Sequence, residues 1–168
     1  DRGGVYYAKP DGSMIKEIAQ PVDGPNGIGL APGDKKVYIA QTFEGRVWQW
    51  DITAPGEVSR TQGAGGPILD GPGGATLLNS LPGYQLLDSL AVDSAGYVCV
   101  ATLLGGAGIS AFAPDGSKVD HVPLNDPFTT NVCFGGPDLK TAYVTLSGAG
   151  KLVSFEWPRP GLKLNFNA

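Results

Sequence analysis

The chain reads as all-β and as part of a β-propeller, and three observations carry that prediction. Apolar residues recur with period two or in short continuous runs, and no stretch shows the spacing of an amphipathic helix. Turn-forming residues punctuate these runs throughout: 26 glycines and 14 prolines among 168 residues, scattered and not pooled in one tract, which suits many short strands. Above all, one pattern occurs three times: a polar residue, a short apolar strand, a turn, a β-rich strand, a Gly-containing turn and a third strand. It starts at Asn26 ("NGIGLAPGDKKVYIAQTFEGRVWQWDI"), at Asp88 ("DSLAVDSAGYVCVATLLGGAGISAFAPDG") and at Thr130 ("TNVCFGGPDLKTAYVTLSGAGKLVSFEW"). A repeat of roughly 40–50 residues holding three or four antiparallel strands is a propeller blade. A long β-sandwich gives similar strands but seldom this register of turns.

Taken in order, residues 4–22 read as the last two strands of a blade, joined at the hairpin turn Asp11-Gly12. Residues 24–62 form a second blade, with strands at Val37–Ala40 and Arg46–Trp50, followed by the Gly/Pro-rich stretch "TQGAGGPILDGPGG". Residues 86–123 form a third, with strands at Val98–Ala101 and Gly108–Phe112 and a hairpin turn at Asp115-Gly116. Residues 129–166 form the last, with strands at Tyr143–Thr145 and Lys151–Phe155 and a C-terminal tail. Asp88 and Asn131 are 43 residues apart; Asn26 and Asp88 are 62 apart, the excess falling in the Gly/Pro-rich stretch. About three and a half blades is fewer than the 4–8 of a closed ring, and leaves unpaired edges. The chain therefore reads as the C-terminal part of a larger protein, or as one whose ring a second chain completes.

Composition narrows the function classes. Hydrophobic residues at 42% and charged residues at 17% supply the core of one domain. A net charge of −4 with no Lys/Arg stripe argues against a nucleic-acid partner. No apolar run approaches the roughly 20 residues of a membrane span, and no targeting segment is visible. That leaves localisation open, with the cytoplasm favoured. Cys99 and Cys133 lie in apolar runs without CxxC spacing and read as small buried hydrophobes, mildly consistent with a reducing compartment.

The register of the repeats points to a site. Innermost strands of a propeller run in one direction along the channel, so their first residues meet at one mouth; here these are Asn26, Asp88 and Asn131. Two amides and a carboxylate are oxygen donors suited to a hard cation such as Ca²⁺, Mg²⁺ or Mn²⁺, or to Zn²⁺. The same residue types also make turns at strand starts, so both readings stand at this point. Other candidates are weaker. His121, the only histidine, falls on an outer strand and reads as a solvated surface residue. "LLGGAGIS" opens into a strand and not a helix, so it lacks the context for a phosphate. Trp48, Trp50 and Trp157 read as packing between blades.

The segments "PNGIGLAPGDKKVYIAQT", "LDSLAVDSAGYVCVAT", "TTNVCFGGPDLKTAYVT" and "EWPRPGLKLNF" resemble the C-terminal half of the senescence-marker/gluconolactonase (regucalcin-like) family of six-bladed propellers. The resemblance implies a divalent-metal-dependent lactonase acting on a small sugar-type lactone; relatives include organophosphate hydrolases. It implies that Asn26, the Asn of "PNG", is a metal ligand, and that Asp88 is both a ligand and the catalytic carboxylate. In place of the family's "PDG-x-x-x-D" this chain has "LDSLAVD", with Leu87 and Ser89 flanking the aspartate. Asn131 falls beside the site, as a substrate contact and not a ligand. One divalent cation is implied, Ca²⁺ first, with Zn²⁺, Mg²⁺ or Mn²⁺ as alternatives. The family's first ligand, a glutamate, and its substrate-contacting Asn and Arg belong to the N-terminal half and have no counterpart here. The resemblance thus implies half a metal site, to be completed by the N-terminal half of the propeller in the same protein or in a second chain. The alternative reading is a non-catalytic propeller scaffold for a protein or ligand, or an inactive fragment of the enzyme.

Overall fold

Residues 2–60 and 71–165 are described in the computed structural model, and they form antiparallel sheets joined by short turns. The first sheet pairs β1 (Arg2–Ala8) with β2 (Ile15–Asp23). The second is built on β3 (Pro25–Leu30), β4 (Lys36–Gln41) and β5 (Arg46–Ala54), with β6 (Glu57–Val58) and β7 (Thr76–Ser80) both pairing β5. The third runs β8 (Gln85–Val92), β9 (Val98–Leu104), β10 (Gly108–Phe112) and β11 (Val119–Pro123), and the fourth β12 (Thr129–Gly135), β13 (Thr141–Leu146) and β14 (Lys151–Glu156). This is the predicted all-β propeller architecture, with β3, β8 and β12 as successive inner strands; β3 packs on β8 and β8 on β12.

Why the middle strands read as unbroken apolar runs follows from where their two faces go. In β4, Val37 and Ile39 join Val5, Ile18, Ala19 and Val22 of the first sheet, while Tyr38 and Ala40 join Leu87, Val92, Val98 and Val100 of the third. In β9, Val98 and Val100 face back to the second sheet, while Cys99 and Ala101 meet Val132, Ala142 and Val144 of the fourth. Period two is present, but both phases are apolar because both faces are covered. Each core cluster is therefore a junction between neighbouring sheets. Trp50 and Trp157, both almost fully buried, sit in the first and third of these junctions.

Two hairpins share one turn. Pro10-Asp11-Gly12-Ser13 and Pro114-Asp115-Gly116-Ser117 each place the glycine at positive φ, 74° and 73°. In each the aspartate Oδ1 accepts the N–H and Oγ–H of the serine two residues on. Only glycine takes that backbone without strain, which is why "PDGS" recurs.

Two expectations change. The fourth strand of the second blade is Thr76–Ser80, beyond the expected boundary at 62, because β5 pairs with two segments: Arg46–Gln49 with β7, Ile52–Ala54 with β6. Residues 61–62 and Phe166, within the predicted blade limits, lie outside the described residues. Cys99 is buried as expected, but Cys133 is exposed. It alternates with Val132, which faces the third sheet, so its own side chain takes the opposite face of the fourth sheet.

The tail is clamped at the far end of the inner strands. Asp93, directly after β8 and fully buried, accepts the N–H groups of Ala95 and Tyr97 on one oxygen and Arg159 Nε at 2.5 Å on the other. The Arg159 guanidinium lies 3.8 Å from the Tyr97 ring centre. Ser94 N–H donates to Pro160 O, and Leu162 N–H to Val92 O, so "WPRPGL" is stitched to the β8–β9 turn.

Candidate functional site

All three inner strands carry a β-bulge at the same height. Pairing slips between Pro25 and Ile28 in β3, between Leu87 and Leu90 in β8, and between Thr129 and Asn131 in β12. A bulge sets two residues against one and re-aims their side chains. The residues in it are Asn26-Gly27 in β3 and Asp88-Ser89 in β8.

The first two bulges are in contact. A Cβ on Gly27 would stand 2.5 Å from Leu90 N and 2.7 Å from Asp88 O, so only glycine lets β3 approach β8 this closely. That approach brings the Asn26 side chain within hydrogen-bonding reach of Asp88. The Asn26 side chain and the Ser89 backbone N–H both favour the ionised Asp88 carboxylate. Burial nevertheless wins, and holds the Asp88 carboxyl above the ordinary aspartate range. Asp88 is half-buried and Asn26 exposed, so the pair opens to solvent on one side.

Asn131 is displaced from the predicted position. Ile28 pairs with Ile39, Leu90 with Val100 and Val132 with Val144, which makes Ile28, Leu90 and Val132 equivalent. Two residues back from each are Asn26, Asp88 and Thr130. Thr130, not Asn131, is therefore in register with Asn26 and Asp88, and the exposed Asn131 matches Gly27 and Ser89. Reading the repeats by spacing alone shifts β12 by one residue. Thr130 Oγ1 contacts Thr145 Oγ1 at 2.9 Å and Ser147 Oγ at 2.7 Å.

Turns at this mouth are bonded into a continuous rim. Thr42 N–H donates to Gly24 O and Leu87 N–H to Thr42 O; Leu81 N–H donates to Gly45 O, and Leu104 N–H to Pro127 O. Asp126, only 3% exposed, accepts backbone N–H groups from Phe128, Gly148 and Ala149 and so ties the turn before β12 to the β13–β14 turn. Three aromatic side chains stand on this rim, Phe43 (58% exposed), Tyr84 (70%) and Phe128 (45%). The Phe43 ring covers Gly24, two residues before Asn26. These side chains escaped the sequence reading because isolated aromatics in turns carry no periodic signal.

The donor chemistry fits part of a hard-cation site. Asn26 contributes a neutral carbonyl oxygen and Asp88 a carboxylate, both oxygen ligands of the kind Ca²⁺ and Mg²⁺ take. No group of three or more His, Cys, Asp or Glu side chains gathers among the described residues, and Ca²⁺ takes roughly 6–8 ligands. The pair is a fraction of a coordination shell. His121 lies apart from it, exposed on β11 with Nδ1 3.2 Å from Ser110 Oγ; burial holds its ring below the usual histidine range.

Residues 1–148 match the family model described as "SMP-30/Gluconolactonase/LRE-like region". Among curated proteins, the chain is 28% identical over 146 residues to a pentonolactonase of Haloferax volcanii, covering 87% of this chain and 46% of that protein. It is 27% identical over 164 residues to a 6-deoxy-6-sulfogluconolactonase of Pseudomonas putida, covering 96% and 52%. A gluconolactonase structure from Xanthomonas campestris superposes with a TM-score of 0.71 at 24% identity, over 94% of this chain and 45% of that one. The chain thus spans about half the length of these relatives.

Proposed function

The chain belongs to the SMP-30/gluconolactonase/LRE-like family, and on that premise we propose that it supplies half of the active site of a divalent-cation-dependent lactone hydrolase. One observation carries the reading: Asn26 and Asp88, from different blades, are brought side by side by matched, contacting bulges at one mouth. A purely structural repeat does not require a half-buried carboxylate held above its ordinary range at that point.

Asn26 and Asp88 would hold the cation, with Ca²⁺ suited by the all-oxygen donor pair. When bound, it would polarise the lactone carbonyl and stabilise the charge that develops on its oxygen. Asp88 takes the proton from a water molecule as that water's oxygen bonds to the carbonyl carbon. It returns the proton to the ring oxygen as the carbon–oxygen bond breaks and the open hydroxy acid leaves. Asn26 has no proton to exchange at neutral pH; it orients Asp88 through its amide N–H and offers its oxygen to the cation. Gly27 sets the spacing between the two strands.

The complete protein tests this reading. Hydrolysis of glucono-δ-lactone, followed by acid release, is expected to stop on EDTA treatment and return with added Ca²⁺. A complete protein that opens no lactone with any of Ca²⁺, Mg²⁺, Mn²⁺ or Zn²⁺ overturns it and leaves a binding scaffold.

A further inference from the structure

Thr130 occupies in β12 the bulge position that Asn26 and Asp88 occupy in β3 and β8, yet the hydrolysis derived above makes no use of it. Its hydroxyl contacts two others, Thr145 Oγ1 at 2.9 Å and Ser147 Oγ at 2.7 Å. Each hydroxyl brings one proton and two lone pairs. Two contacts consume two of the three protons, so the trio keeps a donor and several lone pairs for a neighbour.

The trio is also held in place. Ser147 N–H donates to Phe128 O, and the Thr129 hydroxyl donates to Asp126 O at 3.1 Å. The buried Asp126 carboxylate grips the following Gly148 and Ala149 N–H groups at 3.3 and 2.7 Å. Thr130 is half-buried and Ser147 exposed, so the cluster is fixed from beneath and accessible from the mouth. Neutral, preorganised hydroxyls bind another neutral hydroxyl well and discriminate against a ligand that lacks one.

We propose that Thr130, supported by Thr145 and Ser147, binds a ring or side-chain hydroxyl of the substrate and so selects polyhydroxylated lactones over unsubstituted ones. This rests on the lactone-hydrolase reading. Thr130 acts on specificity; the reacting carbonyl belongs to Asp88 and Asn26.

The experiment compares kcat/KM for glucono-δ-lactone with that for δ-valerolactone, in the complete protein and in its Thr130→Val, Thr130→Ser and Ser147→Ala variants. The ratio of the two is expected to fall about tenfold in Thr130→Val, the loss of one neutral hydrogen bond with its partner left unpaired. It is expected to return in Thr130→Ser, which keeps the hydroxyl, and to fall less in Ser147→Ala. An unchanged ratio in Thr130→Val overturns the proposal, as does an equal fall in Thr130→Ser, which would trace the effect to the methyl group. If Thr130→Val does not fold, the exposed Ser147→Ala decides, and an unchanged ratio there overturns the proposal. A wild type inert on both lactones fails the hydrolase reading and this inference together; an active wild type with a ratio that no variant moves fails this inference alone.

Discussion

Asp88, in the middle of β8, and Asp93, one residue past its end, stand five positions apart, and their surroundings are opposite. Asp93 is fully buried, and both its oxygens are engaged by two backbone N–H groups and a guanidinium. Asp88 is half-buried, and among the described residues the Asn26 amide and the Ser89 N–H, not a cationic side chain, are what oppose the shift that burial imposes on it. The strand therefore spends one carboxylate on holding the tail to the blade and leaves the other short of partners. A charge held with fewer partners than it could take is what a catalytic or ligand-binding position looks like, and a fully satisfied one is what a structural clamp looks like.

That contrast is broken most severely by Asp93→Ala. Removing one partner of a buried pair leaves Arg159 uncompensated and two N–H groups without an acceptor, so we expect a loss of about 3–5 kcal/mol in urea unfolding. If the complete protein hydrolyses lactones as proposed, its turnover per folded molecule is expected to persist in this variant. Gly27→Ala comes next. Its methyl would meet backbone atoms of Asp88, Ser89 and Leu90, and separating two strands at a packed crossing costs about 1–3 kcal/mol. It should also weaken Ca²⁺ binding by the complete protein, measured calorimetrically, because it moves Asn26 away from Asp88.

Asp88→Asn sharpens the comparison from the other side. Hydrolysis by the complete protein, as proposed, is expected to fall by about 10²–10⁴-fold, while stability holds or rises slightly. The sign follows from linkage. A carboxyl whose folded value is raised is a cost to folding once ionised, so wild type and variant converge below the unfolded aspartate value. The variant's advantage then grows as pH rises through the raised folded value. Thermal midpoints measured across acidic to neutral pH check this, and an advantage that shrinks as pH rises would contradict it. The smallest effect is reserved for His121→Ala: within about 0.5 kcal/mol in stability and without change in lactone turnover, since His121 sits on an outer strand.

Much of this could be read from residue order. "KVYIAQ" and "YVCVA" declare strands covered on both faces, and "PDGS" declares its turn twice. That Asn26 and Asp88 lie at matching positions of neighbouring inner strands could be read because glycine, proline and strand register mark their place. What stayed hidden depends on contacts that no spacing encodes. A bulge adds a residue to one strand without altering the composition, which is why Asn131 looked aligned when Thr130 is. The outer strand at Thr76–Ser80 was hidden because β5 is shared by two partners. Arg159, lying 66 residues from Asp93, gives no local sign that it closes a clamp, and the exposure of Cys133 depends on which face of β12 the third sheet covers.

The placement of the cores between sheets has a consequence for how the molecule comes apart. No sheet owns a core: the second and third each share one with the sheet on either side, and the first and fourth share one with their single described neighbour. Stability should then behave as a chain of nearest-neighbour couplings, in the manner of solenoid repeats. Stripping β1 and β2 would uncover Val37, Ile39 and Trp50 and sever a single coupling, leaving those centred on Phe112 and Trp157 intact. The contact between the Asn26 and Asp88 bulges spans the next coupling along. The candidate site should therefore survive fraying of the first sheet and vanish only when the second parts from the third.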